Sequence, residues 1–470
     1  MHIQQLYTNC LSEAAYYIES EGEAAIIDPL RDIDEYINMA KDRNATIKYI
    51  FETHFHADFV SGHLDLSNAT GAPIIFGPKT EAGFNFQSAE NKETFKLGKI
   101  KIKVLHTPGH TLESTCYLLL DEHDEPYAVF TGDTLFVGGV GRPDLSQKIN
   151  EITTQDLAGM LYDSIHTQLL NLPDYVIVYP AHGPGSSCGK NPGPKTSGTI
   201  GEEKETNYAL QVTTKDEFIQ TVTHGMQAPP QYFPINARIN KKGYLSLEKI
   251  FEKGLQSLSP EDFLEKMKDE KTIILDSRPA SLFVEGFIPG SIGIGLDGRF
   301  AEWAGSLLSF EKDILLVTNP GKEKETITRL ARVGFDKISG FLKGGFDAWV
   351  NNGNPIDLII CIDPDELAMD IKYDSNLCLI DVRNPIEFGD GHIKDAINFP
   401  LSEMTDPGKM AGIEDTDNVY IHCAGGYRSV IACSLLKIQG IHNIRNINEG
   451  WAGIKKLENI EKEKNKEVLN

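Results

Sequence analysis

Two spacings of apolar side chains alternate along residues 1–180. Short apolar runs rich in β-branched and aromatic residues, each bounded by turn-forming residues, predict strands over residues 25–29, 47–51, 100–105, 114–120, 127–130 and 175–179. Between these runs, apolar positions recur three and four residues apart, which predicts helices over residues 32–43, 59–68 and 153–170. We therefore expect sheets flanked by helices.

A loop composition follows, because residues 183–201 are dense in Gly, Pro, Ser and Lys. Helical spacing resumes over residues 202–225, so we assign the loop to a first domain that spans residues 1–245. A single core stops growing at roughly 250–300 residues, so a chain of 470 residues is expected to contain further domains.

An internal repeat occupies the second half of the chain. When the sequence is shifted by 105 residues, identical residues align, among them Asp276 with Asp381, Arg278 with Arg383, Phe283 with Phe388, Gly286 with Gly391, Ile288 with Ile393, Ile292 with Ile397 and Gly345 with Gly450. Each copy reads as strand, turn, helix and strand, which predicts a small α/β domain with a parallel sheet. We place these domains at residues 246–356 and 357–470.

The charge balance excludes several classes of partner. The chain has 45 Lys and Arg against 68 Asp and Glu, a net charge of −23, so neither a nucleic acid nor an anionic membrane is an expected partner. It has no run of 18 apolar residues and no signal-peptide pattern, and we expect it to be cytoplasmic. None of its seven cysteines forms a C-x-x-C pair, so any important cysteine should act as a lone thiol.

Histidine and aspartate concentrate in four turns, each directly after a predicted strand. The turns read T-H-F-H-A-D-F-V-S-G-H at 53–63, H-T-P-G-H at 106–110, F-T-G-D at 130–133 and Y-P-A-H-G at 179–183. Side chains at the same ends of neighbouring strands meet at one edge of a sheet, which is how residues distant in sequence assemble a metal site. One such turn alone is usually just solvated, but four in order favour a metal site.

The four turns resemble the metallo-β-lactamase fold, whose pattern H-x-H-x-D-H is followed by a later His, an Asp and a final His. The sequence departs from this pattern at Phe59, where the sixth motif residue should be histidine. The second metal ion of the hydrolytic members thereby loses a nitrogen ligand, and Asp58 loses its partner. A two-metal hydrolase of the glyoxalase II kind is disfavoured, because activating water between two ions requires both ions to be held.

His54, His110 and Asp133 remain, a set of two histidines and one carboxylate that leaves coordination positions open. Such a set suits non-haem Fe(II) and oxygen chemistry better than a closed zinc site. It is also similar to that of persulfide dioxygenases, a metallo-β-lactamase-fold family that holds one iron through these three positions. The resemblance implies one Fe(II) per chain, with zinc as the alternative. It further implies residues that orient the ligands or hold water: His56, Asp58 and His182.

Two more candidate residues follow the aspartate turn and the last histidine turn. The segment 132–145, G-D-T-L-F-V-G-G-V-G-R-P-D-L, also resembles that family, and its Arg142 would direct a cation towards an anionic substrate. The alternative is a surface ion pair between Arg142 and Asp144. Cys188 lies six residues after His182 in the Gly/Pro-rich loop. As a mobile thiol it could relay sulfur; the alternative is an exposed loop cysteine.

A second chemical motif lies at residues 419–434, V-Y-I-H-C-A-G-G-Y-R-S-V-I-A-C-S, which reads as a strand, a Gly-rich loop and a helix. The loop N–H groups, the helix N-terminus and the Arg428 guanidinium all favour the anionic form of the Cys423 sulfur. The alternative is a small core residue at a strand end, but packing alone needs neither two glycines nor a cation there. Cys433, on the helix, is expected to pack in the core.

The spacing between Cys423 and Arg428 separates two kinds of loop. Tyrosine-phosphatase cradles place five residues between Cys and Arg, whereas four stand here. C-A-G-G-Y-R resembles the active loop of rhodaneses, and D-V-R, G-H-I and E-G-W extend the likeness over residues 362–458. The resemblance implies that Cys423 and Arg428 are catalytic. It also implies a persulfide cradle formed by Ala424, Gly425, Gly426 and Tyr427.

The domain at residues 246–356 resembles a rhodanese without its chemistry. Asn319 stands in the place of Cys423, at an offset of 104, and Phe287 stands in the place of His392. Without a thiol the domain cannot carry sulfur. We expect it to be a structural spacer, with docking of a substrate or partner as the alternative.

Over its full length the chain resembles fusions of a persulfide dioxygenase with tandem rhodanese domains. The implied fold is an α/β multi-domain chain, an N-terminal αββα sandwich followed by two α/β rhodanese-like domains. The implied activity is oxidation of a thiol persulfide, such as that of glutathione or coenzyme A, by O2 to sulfite and thiol, with sulfur transfer that makes or uses thiosulfate. The alternatives are a zinc glyoxalase II-like thioester hydrolase with an appended sulfurtransferase, and a sulfur carrier or scaffold. We also expect a homo-oligomer.

Overall fold

The computed structural model describes residues 1–145, 152–190, 193–226, 228–410, 412–413 and 417–465. The chain divides into two compact units, Met1–Leu247 with Ala331–Gly334, and Glu248–Leu330 with Phe335–Asn470. Within the described ranges, no helix is long and apolar enough to cross a membrane. The three-domain division expected from the sequence stays a prediction.

Two six-stranded sheets form the first unit. The first sheet contains, in spatial order, β1 to β6: His2–Thr8, Glu13–Ser20, Glu23–Ile27, Thr46–Glu52, Ile74–Phe76 and Gln87–Ser88. The second contains, in reverse spatial order, β7 to β12: Thr94–Leu97, Ile100–His106, Thr115–Leu120, Pro126–Gly132, Ile177–Pro180 and Gly198–Thr199. The helices α1 to α6 are Asp34–Asp42, His63–Thr70, Thr154–Ser164, Ile200–Thr206, Lys215–Thr223 and Phe233–Lys242.

The buried side chains show how these elements are layered. One core lies between the sheets and takes Tyr16, Phe51 and Ile75 from the first and Tyr117 and Phe130 from the second. The outer face of the first sheet packs on α1 and α2, and the outer face of the second packs on α3 and α5. The order is therefore helix, sheet, sheet, helix, which confirms the expected αββα sandwich.

One predicted helix begins later than its apolar spacing indicates. Residues 59–68 were expected to be helical, but α2 begins at His63. The Asn240 side chain holds the preceding residues in a loop, since its Nδ2 donates to the Phe59 carbonyl at 2.7 Å and its Oδ1 accepts from the Ser61 N–H at 2.9 Å. A side chain from a distant helix thus replaces the hydrogen bonds that a longer helix would have made.

The second unit contains two five-stranded sheets of the same order. The strands β13 to β17 are Ser257–Leu258, Thr272–Asp276, Ser291–Gly293, Asp313–Val317 and Ile338–Leu342. Those of the second sheet are β18 Ile360–Ile362, β19 Leu377–Asp381, β21 Ile397–Asn398, β22 Asn418–His422 and β23 Ile444–Ile447. Adjacent strands pair in parallel in both sheets, as the repeat predicts. A small antiparallel pair joins β20 His392–Ile393 to β24 Lys462–Glu463.

The helices of this unit flank the two sheets. Those of the first copy are α7 Leu247–Gly254, α8 Pro260–Met267, α9 Ala280–Glu285, α10 Phe300–Leu307, α11 Glu323–Arg332 and α12 Gly345–Asn351. Those of the second copy are α13 Pro364–Tyr373, α14 Pro385–Gly389, α15 Pro407–Met410, α16 Tyr427–Ile438 and α17 Gly450–Ile454.

Buried ion pairs occupy equivalent places in the two copies. Arg278 binds the Asp276 carboxylate and donates to the Gly286 carbonyl at 2.8 Å. Arg383 binds Asp381 in the same way and donates to the Gly391 carbonyl at 2.7 Å. Three of the aligned identities therefore have a common structural cause.

Candidate metal centre and thiol loop

Four strands of the first unit deliver the predicted metal-site residues to one place. His54 follows β4, His110 lies in the turn after β8, Asp133 follows β10 and His182 follows β11. All four side chains are at most 2% exposed. The sequence predicted that these turns meet at one edge of a sheet. The structure shows that their side chains also lie close together.

The nitrogen atoms converge on the Asp133 carboxylate. The Nε2 atoms of His54 and His110 lie 3.9 and 3.4 Å from its Oδ2, and the Nε2 of His182 lies 3.4 Å from its Oδ1. The potential ligand atoms of His54, His110 and Asp133 all lie within 4.8 Å of one another. Such a spacing of donor atoms suits a single ion held by two imidazoles and one carboxylate.

A hydrogen-bond chain fixes the tautomer of His54. The Thr53 hydroxyl donates to Oδ2 of Asp28 at 2.8 Å. The oxygen of this hydroxyl, Oγ1 of Thr53, lies 2.9 Å from Nδ1 of His54. Because the hydroxyl proton is used on Asp28, its oxygen accepts the Nδ1–H proton of His54. The lone pair of His54 therefore lies on Nε2, the atom nearest Asp133.

His110 and His182 are oriented in the same way by backbone carbonyls. Nδ1 of His110 lies 2.8 Å from the Arg142 carbonyl, and Nδ1 of His182 lies 3.2 Å from the Ser12 carbonyl. A carbonyl can only accept, so each Nδ1 carries the proton and each Nε2 carries a lone pair. Metal-ligating histidines are commonly held by such partners.

The residues present fit a divalent cation. Among the described residues, Nε2 of His110, Nε2 of His182 and both carboxylate oxygens of Asp133 are buried without a hydrogen-bond partner. Burial lowers the pKa of His54 and of His110, with neighbouring histidines adding to the effect at His54, so both rings are in the neutral form that ligates metal. Unpaired buried polar atoms are rare and need a cause, and a cation between them supplies one.

A second donor set adjoins the first but is incomplete. Potential ligand atoms of His56, Asp58 and His182 also lie within 4.8 Å of one another. Phe59 is fully buried beside them, with its ring centroid 4.3 Å from that of His56. The departure from the expected motif therefore places hydrocarbon where a third nitrogen ligand would be needed.

His56 also contacts two carboxylates outside this donor set. Its Nε2 lies 3.1 Å from Oδ1 of Asp28 and 3.8 Å from Oε2 of Glu52. Burial alone would lower its pKa, but the two carboxylates outweigh burial and raise the pKa to about 10. His56 therefore interacts with Asp28, which in turn holds Thr53 beside His54.

Sequence reasoning did not single out Asp28, Glu52 or Glu13. Asp28 accepts from the Thr53 N–H at 2.7 Å, and Glu52 accepts from the Ser61 hydroxyl at 2.5 Å. Glu13 is buried, and burial raises its pKa well above the ordinary value. Asp28 directly follows β3, Glu23–Ile27, as the metal-site turns follow their strands, but the predicted strand over residues 25–29 included it and so concealed this position.

The expectation of an exposed cysteine in the Gly/Pro-rich loop is wrong. Cys188 is 2% exposed, and burial raises the pKa of its thiol well above the ordinary value. The loop is docked because the Arg142 N–H donates to the Cys188 carbonyl at 2.8 Å. The Cys188 thiol lies within 4.8 Å of ligand atoms of Asp133 and His182. Its role in relaying sulfur stays a prediction.

The ion pair of Arg142 is formed, but not at the surface. Two guanidinium nitrogens contact the two carboxylate oxygens of Asp144 at 2.6 and 2.8 Å, and a third donates to the Ser187 carbonyl at 3.2 Å. Both partners are nearly buried. A surface ion pair is therefore a wrong expectation, and the recognition of an anion by Arg142 stays a prediction.

The predicted thiol loop follows β22 in the second unit. Cys423 is buried, and its Sγ accepts a hydrogen bond from the Gly426 N–H at 3.1 Å. Gly426 precedes α16 with a φ of 105°, a conformation that favours glycine. Ala424 and Gly425 complete the turn between them. The loop thus presents a backbone donor to the sulfur at the start of a helix, as a persulfide cradle requires.

Arg428 has a partner that the sequence did not indicate. Its NH1 and NH2 atoms donate to the two carboxylate oxygens of Glu387 at 2.7 and 2.8 Å. Burial would lower the pKa of Arg428, but Glu387 outweighs it and the pKa lies above the ordinary value. The guanidinium is therefore positively charged, and the Glu387 carboxylate neutralises this charge. Its action on the Cys423 sulfur stays a prediction.

The first copy has an equivalent strand end without the chemistry. Placing Asn319 opposite Cys423 is wrong by one position: Cys423 directly follows β22, and the residue that directly follows β16 is Thr318. Thr318 carries no thiol either. The Phe287 ring stacks on Phe283 with centroids 4.2 Å apart, in the place where His392 stacks on its own aromatic neighbour. Residues 246–356 contain no cysteine.

Family comparisons agree with these two kinds of site. The model of the metallo-beta-lactamase superfamily matches residues 8–182, which include His54, His110, Asp133 and His182. The model of the rhodanese-like domain matches twice, at residues 259–352 and 363–457. The second match includes the Cys423 loop.

Individual relatives cover different parts of the chain. A probable hydroxyacylglutathione hydrolase of Schizosaccharomyces pombe is 34% identical over 34% of this chain, which spans 58% of that relative's length. The mitochondrial persulfide dioxygenase ETHE1 of Mus musculus is 27% identical over 47% of this chain and 79% of its own. A crystal structure of a metallo-beta-lactamase from Staphylococcus aureus is 32% identical, covers 73% of this chain and 99% of its own, and has a TM-score of 0.64.

Proposed function

The chain belongs to the metallo-β-lactamase superfamily and carries two rhodanese-like domains, and we propose that it is an iron(II) persulfide dioxygenase coupled to a sulfurtransferase. The observation that carries the proposal is Phe59, buried where the two-metal pattern needs a histidine. One ion site is then left, with His54, His110 and Asp133 as its ligands and open positions for substrates. The ETHE1 relative, a persulfide dioxygenase by name, supports the same assignment.

The proposed substrate is a low-molecular-weight thiol persulfide, such as that of glutathione or coenzyme A. Persulfide, dioxygen and water would yield one thiol and one sulfite, so the outer sulfur acquires three oxygen atoms and leaves its carrier. Iron(II) held by the three ligands would supply the electrons that activate dioxygen. Asp28 and Thr53 keep the lone pair of His54 on Nε2, and the Arg142 carbonyl does the same for His110.

Cys423 would carry the sulfur-transfer step. Its thiolate attacks the outer sulfur of thiosulfate, the S–S bond breaks, and sulfite leaves with the bonding electron pair. The Gly426 N–H, 3.1 Å from Sγ, stabilises negative charge on the cysteine sulfur. An acceptor such as cyanide then takes the outer sulfur and restores the thiolate. The reverse exchange, with sulfite as acceptor, makes thiosulfate.

A zinc-dependent thioester hydrolase is the second candidate. It is favoured by the Schizosaccharomyces pombe relative, a probable hydroxyacylglutathione hydrolase with 34% identity. Water activation between two ions would require a second ion at His56, Asp58 and His182. Phe59 adds no ligand to that set, which is why we rank the hydrolase second.

Oxygen uptake tests the proposal directly. The protein is loaded anaerobically with Fe(II), shown to hold one iron per chain, and given glutathione persulfide or coenzyme A persulfide in an oxygen electrode. We expect rapid uptake with one or both, with sulfite formed in proportion. Absence of uptake with both persulfides, together with hydrolysis of S-lactoylglutathione by the zinc-loaded protein, would establish the hydrolase instead.

A further inference from the structure

The thiol loop is attached to the preceding copy of the repeat through one aromatic residue. Tyr427 is the first residue of α16, and its hydroxyl donates to the Gly295 carbonyl at 2.7 Å. Its ring covers Gly298 so closely that a Cβ atom at that glycine would lie 2.4 Å from the ring Cζ. Gly298 therefore has no room for a side chain while Tyr427 keeps this position.

Later turns of α16 continue along the same copy. The Ser434 hydroxyl accepts a hydrogen bond from the Gly293 N–H at 3.2 Å. The Lys437 ammonium group lies 5.9 Å from the centroid of the Phe287 ring. The helix that begins at the thiol loop is thus held against the copy that has no thiol.

Hydrogen bonds at its two ends, rather than packing, fix the shape of the loop. A Cβ atom at Gly425 or at Gly426 would meet no described atom within 4 Å, so these residues are not held by packing. The beginning of the loop is fixed because the Trp451 N–H donates to the Cys423 carbonyl at 2.7 Å and the Ala452 N–H donates to the Ala424 carbonyl at 3.0 Å. At the end of the loop the Gly426 carbonyl accepts from the Ser429 hydroxyl at 3.1 Å and from the Val430 N–H at 3.4 Å, so Gly426 moves with the first turn of α16, which the Tyr427 side chain attaches to the preceding copy.

We propose that the cysteine-free copy positions the thiol loop through Tyr427, so that its role is to complete the sulfurtransferase site. The inference rests on the proposed sulfur transfer at Cys423. Tyr427 is a positioning residue, since its side chain contacts Gly295 and Gly298 and not the sulfur. This gives a function to a domain that has lost its own cysteine.

The physical effect is carried by one backbone donor. Two glycines lie between Cys423 and Tyr427, so movement of Tyr427 is passed to the Gly426 N–H, which lies 3.1 Å from Sγ. Hydrogen bonds weaken steeply as distance and angle depart from ideal values. Loss of a hydrogen bond to a charged sulfur is expected to lower the rate of sulfur transfer by about tenfold or more.

The test places a methyl group under the ring. Gly298→Ala should displace Tyr427 and lower kcat/KM for transfer of sulfur from thiosulfate to cyanide by about tenfold. Oxygen uptake with a persulfide should stay at the wild-type rate. In a Tyr427→Ala background, Gly298→Ala should have no further effect, because the clashing ring is gone. Tyr427→Phe adds no atom and should lose about threefold by removing only the bond to Gly295.

The control is Tyr420→Phe, which loses one hydrogen bond to Asp370 in the same copy without touching the loop. It should keep wild-type transfer. Thermal melts must show that every variant is folded at the assay temperature. A wild-type protein without sulfur transfer would overturn the proposed function and this inference together. An active wild type with unchanged Gly298→Ala and Tyr427→Phe variants, or with additive losses in the double variant, would overturn the positioning role alone.

Discussion

The ring of Phe59 lies against the imidazole of His56, with centroids 4.3 Å apart and planes tilted by 32°. Next to it, Oδ2 of Asp58 lies 3.5 Å from Nε2 of His182, and Oδ1 of Asp58 has no hydrogen-bond partner among the described residues. Hydrocarbon therefore adjoins a carboxylate and an imidazole that together could contribute to an ion site. We therefore expect the number of bound ions to depend on this one aromatic residue.

Phe59→His should raise the bound zinc from one to two ions per chain, because an imidazole nitrogen would join Asp58 and His182 as a third ligand. The measurement is inductively coupled plasma mass spectrometry after loading with zinc and removal of excess metal. Phe55→His is the control, since it makes the same change at another buried phenylalanine, which packs on Phe76. Two ions per wild-type chain would contradict the single-site interpretation.

His110→Ala should abolish oxygen uptake with persulfide, because it removes one of the three proposed ligands, and should lower bound iron well below one per chain. Sulfur transfer from thiosulfate to cyanide should persist, since Cys423 lies in the other unit. His106→Ala is the control in the same turn; its ring contacts the Leu112 carbonyl rather than the metal ligands. Loss of both activities in His110→Ala would contradict independent sites.

Cys423→Ser should show the reverse pattern, with sulfur transfer abolished and oxygen uptake retained. A hydroxyl cannot form the persulfide, although it is of similar size and can still accept the Gly426 N–H bond. Cys378→Ser, at a half-buried cysteine of the same copy, should keep wild-type transfer. Unchanged transfer in Cys423→Ser would move the sulfur carrier to another thiol, with Cys188 the first to test.

The pairing of Arg428 with Glu387 gives a prediction about anion binding. The carboxylate competes with thiosulfate for the guanidinium, so Glu387→Gln should lower KM for thiosulfate by about threefold to tenfold, or about 0.7–1.4 kcal/mol. Initial rates measured against thiosulfate concentration at constant ionic strength test this. Glu403→Gln, which removes an exposed partner of Lys409, is the control. A higher KM in Glu387→Gln would mean that Glu387 orients Arg428 for binding.

The strands that support the metal site could be predicted because their signal is local. Apolar runs before His54, His110, Asp133 and His182 indicate buried strands, and adjacent strand ends must meet at a sheet edge. The chemistry of the thiol loop is also local, since Cys423 is held by the N–H of a glycine three residues away.

What could not be predicted depends on contacts between distant residues. Asn240 holds the residues after Phe59 in a loop, although 181 residues of sequence separate it from Phe59. Cys188 is buried because its carbonyl binds the Arg142 N–H, and Arg428 is neutralised by Glu387, 41 residues earlier. The spacing of residues along the sequence does not indicate such partners, because the folded topology determines which side chains and backbone groups meet.

His63 is buried among aromatic rings, with centroids 4.9 Å from Phe84, 5.5 Å from Tyr244 and 6.1 Å from Phe76. Burial lowers its pKa from 6.5 to about 3, and the positive charge of His56 adds to the effect. Below pH 6.5 the unfolded chain therefore takes up a proton at this position that the folded chain does not. Stability should fall as pH decreases from 6.5 towards 3, by up to about 1.4 kcal/mol per pH unit from this group.

His63→Phe should remove this acid sensitivity, because phenylalanine fits an aromatic environment and does not titrate. Unfolding of the first unit is followed by circular dichroism between pH 7.5 and 4.5. As the pH is lowered, the variant's midpoint temperature should decrease less steeply than the wild type's. The difference corresponds to up to one proton fewer taken up on unfolding. His123→Gln, at an exposed histidine, should follow the wild-type curve. Parallel curves for His63→Phe and wild type would show that His63 takes up its proton equally in the folded and unfolded chain, contrary to its burial.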